Sequence, residues 1–229
     1  MSANQLFVSV PTVTLPCGIA VRPFLIGKYL CGRDTRGRAI VSSTAAPWVY
    51  LDYAEAIMAC DVAGVKLVTE LRCLAIAYDI VMQDINWTGG KVGAGAVFQG
   101  LHKGTVTSAQ PGDFVSDDPE ERRWHQLSNG EMIVDFAGNV SSWVFDDVQG
   151  SADGRVAEYI AADSPSITTA PYPMMERGMG WRPCAGRDWS GDAPIRGGSW
   201  NDMHHAGVFF LGFVPPDYRL GNIGFRCTK

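Results

Sequence analysis

The stretch RGGSWNDMHHAGVFFLGFVPPDYRLGNIGFRC, Arg196 to Cys227, is orderly at both ends and irregular between them. Arg-Gly-Gly-Ser-Trp offers two glycines for tight backbone and a Trp200 to bury. Asn-Ile-Gly-Phe-Arg-Cys reads as a short apolar strand. Between them stand Asp202, the adjacent His204 and His205, paired prolines and Tyr218, with apolar residues at neither a period of two nor one of 3.6. Burial alone supplies no rule for such a middle.

The rest of the chain bounds the answer. It has 229 residues, 46% hydrophobic and 19% charged, a globular composition suited to one domain over 1–229. Its net charge is −5 with no Lys or Arg block, which argues against nucleic acid as a partner. No apolar run reaches membrane-spanning length, so no membrane insertion is expected. The start, MSANQLFVSVPTVTLPCG, lacks the charged region of a secretory signal, and 1–23 reads as an N-terminal strand or arm. Six cysteines, at 17, 31, 60, 73, 184 and 227, include no C-x-x-C pair, so no zinc site is expected and reduced thiols are the default.

Short strand-like runs broken by Pro and Gly fill residues 6–45. Then Asp52 and Glu55 take capping-box spacing, with Tyr53, Ala56, Ile57 and Cys60 on one helical side and Gly64 as the stop. A second helix begins near Thr69, where Leu71, Leu74, Ala75, Tyr78 and Val81 keep helical spacing. Cys60 and Cys73 fall on the apolar faces of these helices. Gly and polar residues dominate 88–130 and 148–198, too long for ordinary loops, so these read as insertions or irregular structure. Between them, EMIVDFAGNVSSWVFDD places apolar runs around an Ala-Gly-Asn turn. AGVFFLGFV and NIGFRC supply the last strand signals. Helices and strands are segregated, which predicts an α+β fold with a small twisted antiparallel sheet, two helices and long irregular insertions.

Four segments resemble, in order, the formylglycine-generating-enzyme-like branch of the C-type lectin fold. They are PWVYLDYAEAIMAC (Pro47–Cys60), KLVTELRCLAIAY (Lys66–Tyr78), DFAGNVSSWVFDD (Asp135–Asp147), and RGGSW with IGFRC. The resemblance implies the fold and not the chemistry. An oxidase of that branch needs a Cys soon after the Gly-Gly-Ser-Trp segment. Here no cysteine lies between Cys184 and Cys227, and Ser141 and Ser142 stand where Trp-Glu is usual. Trp200-Asn201-Asp202 resembles the Trp-Asn-Asp motif of calcium-dependent sugar-binding lectins, but the nearest upstream partner, Gln110-Pro111-Gly112-Asp113, has one residue too many. His204 and His205, read on a strand, point to opposite faces and make a poor metal pair. No catalytic group, metal or cofactor is expected.

The C-terminal stretch resembles more closely the variable proteins of diversity-generating retroelements. Its anchors are Gly197, Gly198, Trp200, Ala206, Gly207, Phe209, Asn222, Ile223, Gly224, Phe225 and Arg226. The resemblance implies that 196–227 is a variable region, in which adenine-rich codons are copied with errors into any residue except Lys, Glu, Gln, Met or Trp. The implied slots, and so the ligand-binding residues, are Asn201, Asp202, His204, His205, Gly212, Phe213, Val214, Asp217, Tyr218, Leu220 and Gly221. All are allowed types. Met203 is fixed or encoded differently, and Pro216 and Arg219 belong to the scaffold. Trp200, Phe209, Ile223 and Phe225 are expected in the core, and Phe210 and Phe213 are the residues expected there whether the stretch is a varied surface or an ordinary structural loop. An exposed aromatic and apolar patch of this kind suits a protein or cell-surface ligand. The resemblance implies display on a virion or cell surface, as a monomer or trimer.

Overall fold

The computed structural model describes residues 6–229. In chain order the elements are β1 (Phe7–Val10), β2 (Val13–Thr14), β3 (Ala20–Val21), β4 (Phe24–Gly27), β5 (Cys31–Arg33), β6 (Ala39–Val41), α1 (Tyr53–Val62), β7 (Lys66–Leu67) and α2 (Glu70–Val81). There follow β8 (Trp124–Gln126), β9 (Met132–Val134), β10 (Ser141–Trp143), the short α3 (Pro165–Thr168), β11 (Ala193–Arg196), β12 (Leu211–Val214), β13 (Ile223–Phe225) and β14 (Cys227–Thr228). The fold is mixed α+β with few helices and small sheets.

Both main helices start where their caps dictate. Glu55 N donates to Asp52 Oδ1 at 2.9 Å and Asp52 N to Glu55 Oε2 at 3.0 Å, the reciprocal bonds of a capping box. Gly64, at φ +72°, stops α1 in a conformation that costs a residue with a Cβ. Thr69 caps α2 by accepting from Arg72 N. The two helices serve different cores. Leu74, Ile76, Ile80 and Val81 of α2 pack with Val8, Val10 and Ile26 of the N-terminal strands and with Phe209. Tyr53, Ala56, Ala59 and Cys60 of α1 pack with Trp143, Ile223 and Phe225.

Two four-stranded sheets carry these cores. One has the order β1-β4-β14-β7, so the N-terminal arm, as far as it is described, pairs with β4 and the chain end lies beside it. The other has the order β12-β11-β10-β13. The expectation of a purely antiparallel sheet needs correction here: β10 and β13 run parallel, with Ser142 opposite Gly224. A parallel pair needs a long crossover connection, and the chain from Val144 to Asn222 supplies it. The stretches expected to be irregular also hold regular pieces. β8 lies in the first, pairing antiparallel with β9, and α3 and β11 lie in the second. The run AGVFFLGFV forms a strand only from Leu211; Ala206 to Phe210 are buried in turns.

Buried guanidinium groups lock both ends of the C-terminal stretch. Arg196 Nε donates to Glu70 Oε2 at 2.8 Å, and Arg196 Nη1 to the Phe209 carbonyl at 3.0 Å. Arg226 donates to the carbonyls of Gly27, Val134 and Asp135 at 2.7, 2.6 and 2.9 Å. A third, Arg123, pairs with Asp135 through two bonds of 2.7 and 2.6 Å, and Asp135 Oδ2 accepts from Asn139 Nδ2 at 2.9 Å. Charge-assisted bonds of this kind satisfy buried polar groups and fix geometry.

Candidate ligand-binding surface

The irregular middle of the stretch divides into two loops on either side of β12. In the first, Asp202 caps its own turn. Its Oδ2 accepts from Ser199 N at 2.7 Å and lies 2.8 Å from Ser199 Oγ. Met203, at φ +53°, opens a single 3-10 turn through His205. Met203 N donates to the His102 carbonyl and Trp181 N to the His205 carbonyl, both at 2.8 Å, so the backbone is tied on two sides. The side chains of Asn201, Met203, His204 and His205 are left exposed. The strand reading of the two histidines is therefore corrected. On a 3-10 turn their rings lie side by side, with centroids 4.3 Å apart.

The second loop runs from Val214 to Asn222, and α1 and its approach hold it. The Pro216 carbonyl accepts from Tyr53 N at 3.0 Å and the Leu220 carbonyl from Tyr50 N at 3.1 Å. Arg219 reaches Asp52 Oδ2 at 2.8 Å and Glu55 Oε1 at 2.9 Å. Asn222 passes its carbonyl to Ser141 N at 3.0 Å. With the main chain so engaged, Asp217, Tyr218 and Leu220 project into solvent, Tyr218 with 48% of its surface exposed.

A depression lies on each side of this loop. One, of about 330 Å³, is lined by Asp52, Tyr53, Ile57, Asp153, Arg155 and Asp217, with Ala54 and Pro216. The other, of about 420 Å³, is lined chiefly by Tyr50, Thr107, Ser108, Trp200, Asn201 and Asn222, with Gly221 at its edge. The two loops meet in this second cleft: Asn222 Nδ2 lies 3.3 Å from Ser199 Oγ and 3.5 Å from Asn201 Oδ1.

The expected slots thus fall into separate places. Asn201 and Gly221 share the second cleft, and Asp217 belongs to the first. His204 and His205 sit on the 3-10 turn beyond Asn201, while Tyr218 and Leu220 cap the loop between the clefts. Val214 and Asp202 are half-buried. Gly212 and Phe213 do not belong to the surface, which corrects their place among the slots. They lie in β12, paired with Ile195 and Pro194 of β11. Phe213 packs on Trp189 with ring centroids 5.2 Å apart, inside a small core with Val156, Ile160 and Leu211. A Cβ at Gly212 would meet Ile195 and Phe210 side-chain atoms at 3.1–3.2 Å. The pattern hid this because β12 has both faces covered and so shows no alternation.

Trp200 also departs from expectation. It is half-buried, not core, because its N donates to the Asn139 carbonyl and its carbonyl accepts from Gly104 N, which hold the residue at the wall of the second cleft. Phe209, Ile223 and Phe225 are buried as expected. Tyr50, Thr107 and Ser108 were not singled out from the sequence. Thr107 and Ser108 lie in the Gly-rich and polar stretch, where no periodicity marks them. Tyr50, at φ +59° and 68% exposed, had one signal, an aromatic residue just outside a capping box.

The groups that other chemistries need are dispersed. Cys184 is exposed, whereas Cys227 is buried and accepts a hydrogen bond from the Cys31 thiol, which burial pushes well above the usual thiol range. The Asp202 carboxylate engages Ser199 through its Oδ2. Gln110 N and its carbonyl are bound to the Asn139 side chain, and Asp113 N donates to the Ser43 carbonyl. His125 is sealed in the interior, its Nε2 2.7 Å from the Phe98 carbonyl, and burial lowers its pKa to about 4. Among the described residues no group of three or more His, Cys, Asp or Glu side chains is arranged to hold a metal, and no helix is long and apolar enough to cross a membrane.

No protein-family model matches the chain, and no curated protein matches it. Among solved structures it is similar to PvdO from Pseudomonas aeruginosa, at 15% identity over 97% of this chain and 91% of that one, with a TM-score of 0.48. It is similar to Treponema denticola variable protein 1 at 14% identity, over 97% of this chain and 92% of that one, with a TM-score of 0.42. Similarity to the P3c variant of the Major Tropism Determinant, at 15% identity and a TM-score of 0.42, covers 98% of this chain but 55% of that one.

Proposed function

We propose that this chain is a non-catalytic, ligand-binding protein of the C-type lectin type, and that a retroelement diversifies its C-terminal surface for receptor recognition. One observation carries the reading. Asn201, His204, His205, Asp217, Tyr218 and Leu220 stand exposed on loops whose main chain is tied to the scaffold, while the flanking Arg196 and Arg226 are buried and hydrogen-bonded to it. Side-chain identity on those loops is thereby separated from the packing that holds the fold. Exposed Tyr, Leu and His beside adaptable polar groups also suit recognition of a protein or cell-surface ligand. The reading retains the resemblance of the anchors Gly197 to Arg226 to diversified variable proteins, and with it display on a virion or cell surface. It withdraws Gly212 and Phe213 from the varied set and keeps Gly221 and Asn201 as neighbours in one cleft.

Deep sequencing of the DNA encoding residues 196–229 in a natural population tests it. Substitutions should concentrate at adenines in the codons for the exposed slots, with Arg-Gly-Gly-Ser-Trp and Asn-Ile-Gly-Phe-Arg constant. A uniform sequence, or changes scattered evenly across anchors and slots, would sink the proposal.

A further inference from the structure

We infer that the solvent face of α1 is a docking surface for a basic amphipathic helix of another protein. The inference goes beyond the reading proposed above, because α1 lies outside the proposed slots. It starts from residue types. In Tyr-Ala-Glu-Ala-Ile-Met-Ala-Cys-Asp-Val the charged residues are Glu55 and Asp61 alone. Tyr53, Ala56, Ala59 and Cys60 turn inward and pack with Trp143, Ile223 and Phe225. On a surface helix the opposite side is ordinarily polar. Here it carries Ala54, Ile57, Met58 and Val62. Helical spacing sets these side by side, with Asp61 among them, in a stripe about 15 Å long. Met58 is 59% exposed and Val62 64%.

Single exposed apolar residues are ordinary on a protein surface. This stripe differs because it continues into a depression. Ala54 and Ile57 also line the cleft of about 330 Å³ at the start of α1, with Tyr53 and Pro216 as further apolar wall. A contiguous apolar patch that runs into a cleft marks an interaction surface. The main-chain groups of α1 are bonded along the helix, so an added β-strand would find no partners on this face. An amphipathic helix binds through side chains at helical spacing and matches the stripe.

Charge selects the partner. The cleft sets the carboxylates of Asp52, Asp153 and Asp217 against the one guanidinium of Arg155. Arg155 is already paired, its Nε 2.6 Å from Asp153 Oδ2. Asp52 and Glu55 share the single guanidinium of Arg219. Asp217 is exposed and has no ion-pair partner among the described residues. A Lys or Arg side chain entering the cleft therefore meets uncompensated carboxylate. Of these groups only Asp217 belongs to the proposed slots, so the inference stands on the others if that reading fails. A second copy of the chain is the wrong occupant. Two α1 faces placed together would set Glu55, Asp61 and Asp217 against their own kind. The chain has no Lys or Arg block to offer in return, and α2 carries Arg72 as its one cation.

The test titrates the full chain with synthetic peptides of about 18 residues, long enough to hold a helix. One peptide places leucines on one helical face and lysines on the other. A second exchanges the lysines for glutamates, and a third scrambles the first. Binding is followed by calorimetry and by methyl NMR. The leucine–lysine peptide should bind in the micromolar range and shift the methyl signals of Met58 and Val62. Met58→Gln combined with Val62→Gln, checked for fold by circular dichroism, should weaken binding by about tenfold. Met82→Gln, which alters an exposed residue at the end of α2, should leave it unchanged. No binding of the leucine–lysine peptide, equal binding of the glutamate or scrambled peptide, or an affinity unmoved in the double variant would overturn the inference. So would a dimer in sedimentation that the double variant dissociates, because a second copy would then cover the face. Population sequencing separates the two ideas. Varied slot codons without peptide binding remove the docking face alone; constant codons with peptide binding remove the diversified surface alone.

Discussion

The Arg196 guanidinium lies against the Glu70 carboxylate with both side chains almost sealed from solvent, 4% and 1% exposed. The pair ties β11 to the first turn of α2 and thereby fixes where the irregular stretch begins. Breaking one partner leaves the other charge buried and unpaired, at a cost of about 3–5 kcal/mol. Glu70→Gln should therefore lower the urea midpoint sharply with an unchanged slope, and replacement of both partners by apolar residues should recover part of the loss. A shift worth less than about 1 kcal/mol would mean that water reaches the pair.

Two aromatic residues a few positions apart should behave in opposite ways. Tyr218→Ala removes an exposed ring and should change stability by no more than about 0.5 kcal/mol. Phe213→Ala empties space beside Trp189 and Ile160 and should cost about 3–5 kcal/mol. Thermal or chemical unfolding of the two variants checks this, and equal effects would contradict the assignment of β12 to the interior.

Thiol reactivity should count out the burial. Cys17 and Cys184 are exposed, whereas Cys31, Cys60, Cys73 and Cys227 are buried. Burial also pushes the thiols of Cys31, Cys60 and Cys73 above their usual range, which reduces the reactive thiolate. Under native conditions a thiol reagent should modify Cys17 and Cys184 quickly and the other four only on unfolding, as peptide mass mapping would reveal. Fast modification of Cys73 would place α2 at the surface.

His125 sets an acid limit. Burial lowers its pKa from 6.5 to about 4, and its Nδ1 has no partner among the described residues. The unfolded chain therefore binds a proton that the folded chain refuses. Stability contributed by the neutral ring is complete above about pH 6.5, falls as pH drops through the window from 6.5 to 4, and levels off below. The loss amounts to at most roughly 3 kcal/mol. Unfolding free energies of the wild type and His125→Gln, measured across that window, should converge as pH falls. Parallel curves would show that another group controls the acid limb.

Much of the scaffold was legible in the sequence because local chemistry specifies it. Asp52, Glu55 and Gly64 bound α1, and Thr69 starts α2, through bonds that span only a few residues. Non-local pairing left no such trace. Nothing near Ser141 announces that its strand runs parallel to Ile223, and nothing near Thr107 announces that it lines one cleft with Trp200. The exposed half of the surface could be read from residue types, since Tyr218 and His204 have no periodic role. Gly212 and Phe213 fell in an expected strand, and Phe213 was expected near the core, but with both faces of β12 covered no alternation separates buried from surface positions there.

Gly221 has a consequence for how specificity can change. A Cβ at this position would lie 2.6 Å from the Tyr50 hydroxyl oxygen, closer than atoms tolerate, yet Tyr50 is exposed enough for its ring to swing aside. A substitution at one rim position therefore also relocates an aromatic ring encoded far upstream. The effects of altering Gly221 and Tyr50 are not additive, and one substitution reshapes both walls of the cleft at once. Under the diversified reading proposed above, the number of distinct shapes this surface can present is set by the coupling between loop and wall as well as by the count of mutable codons.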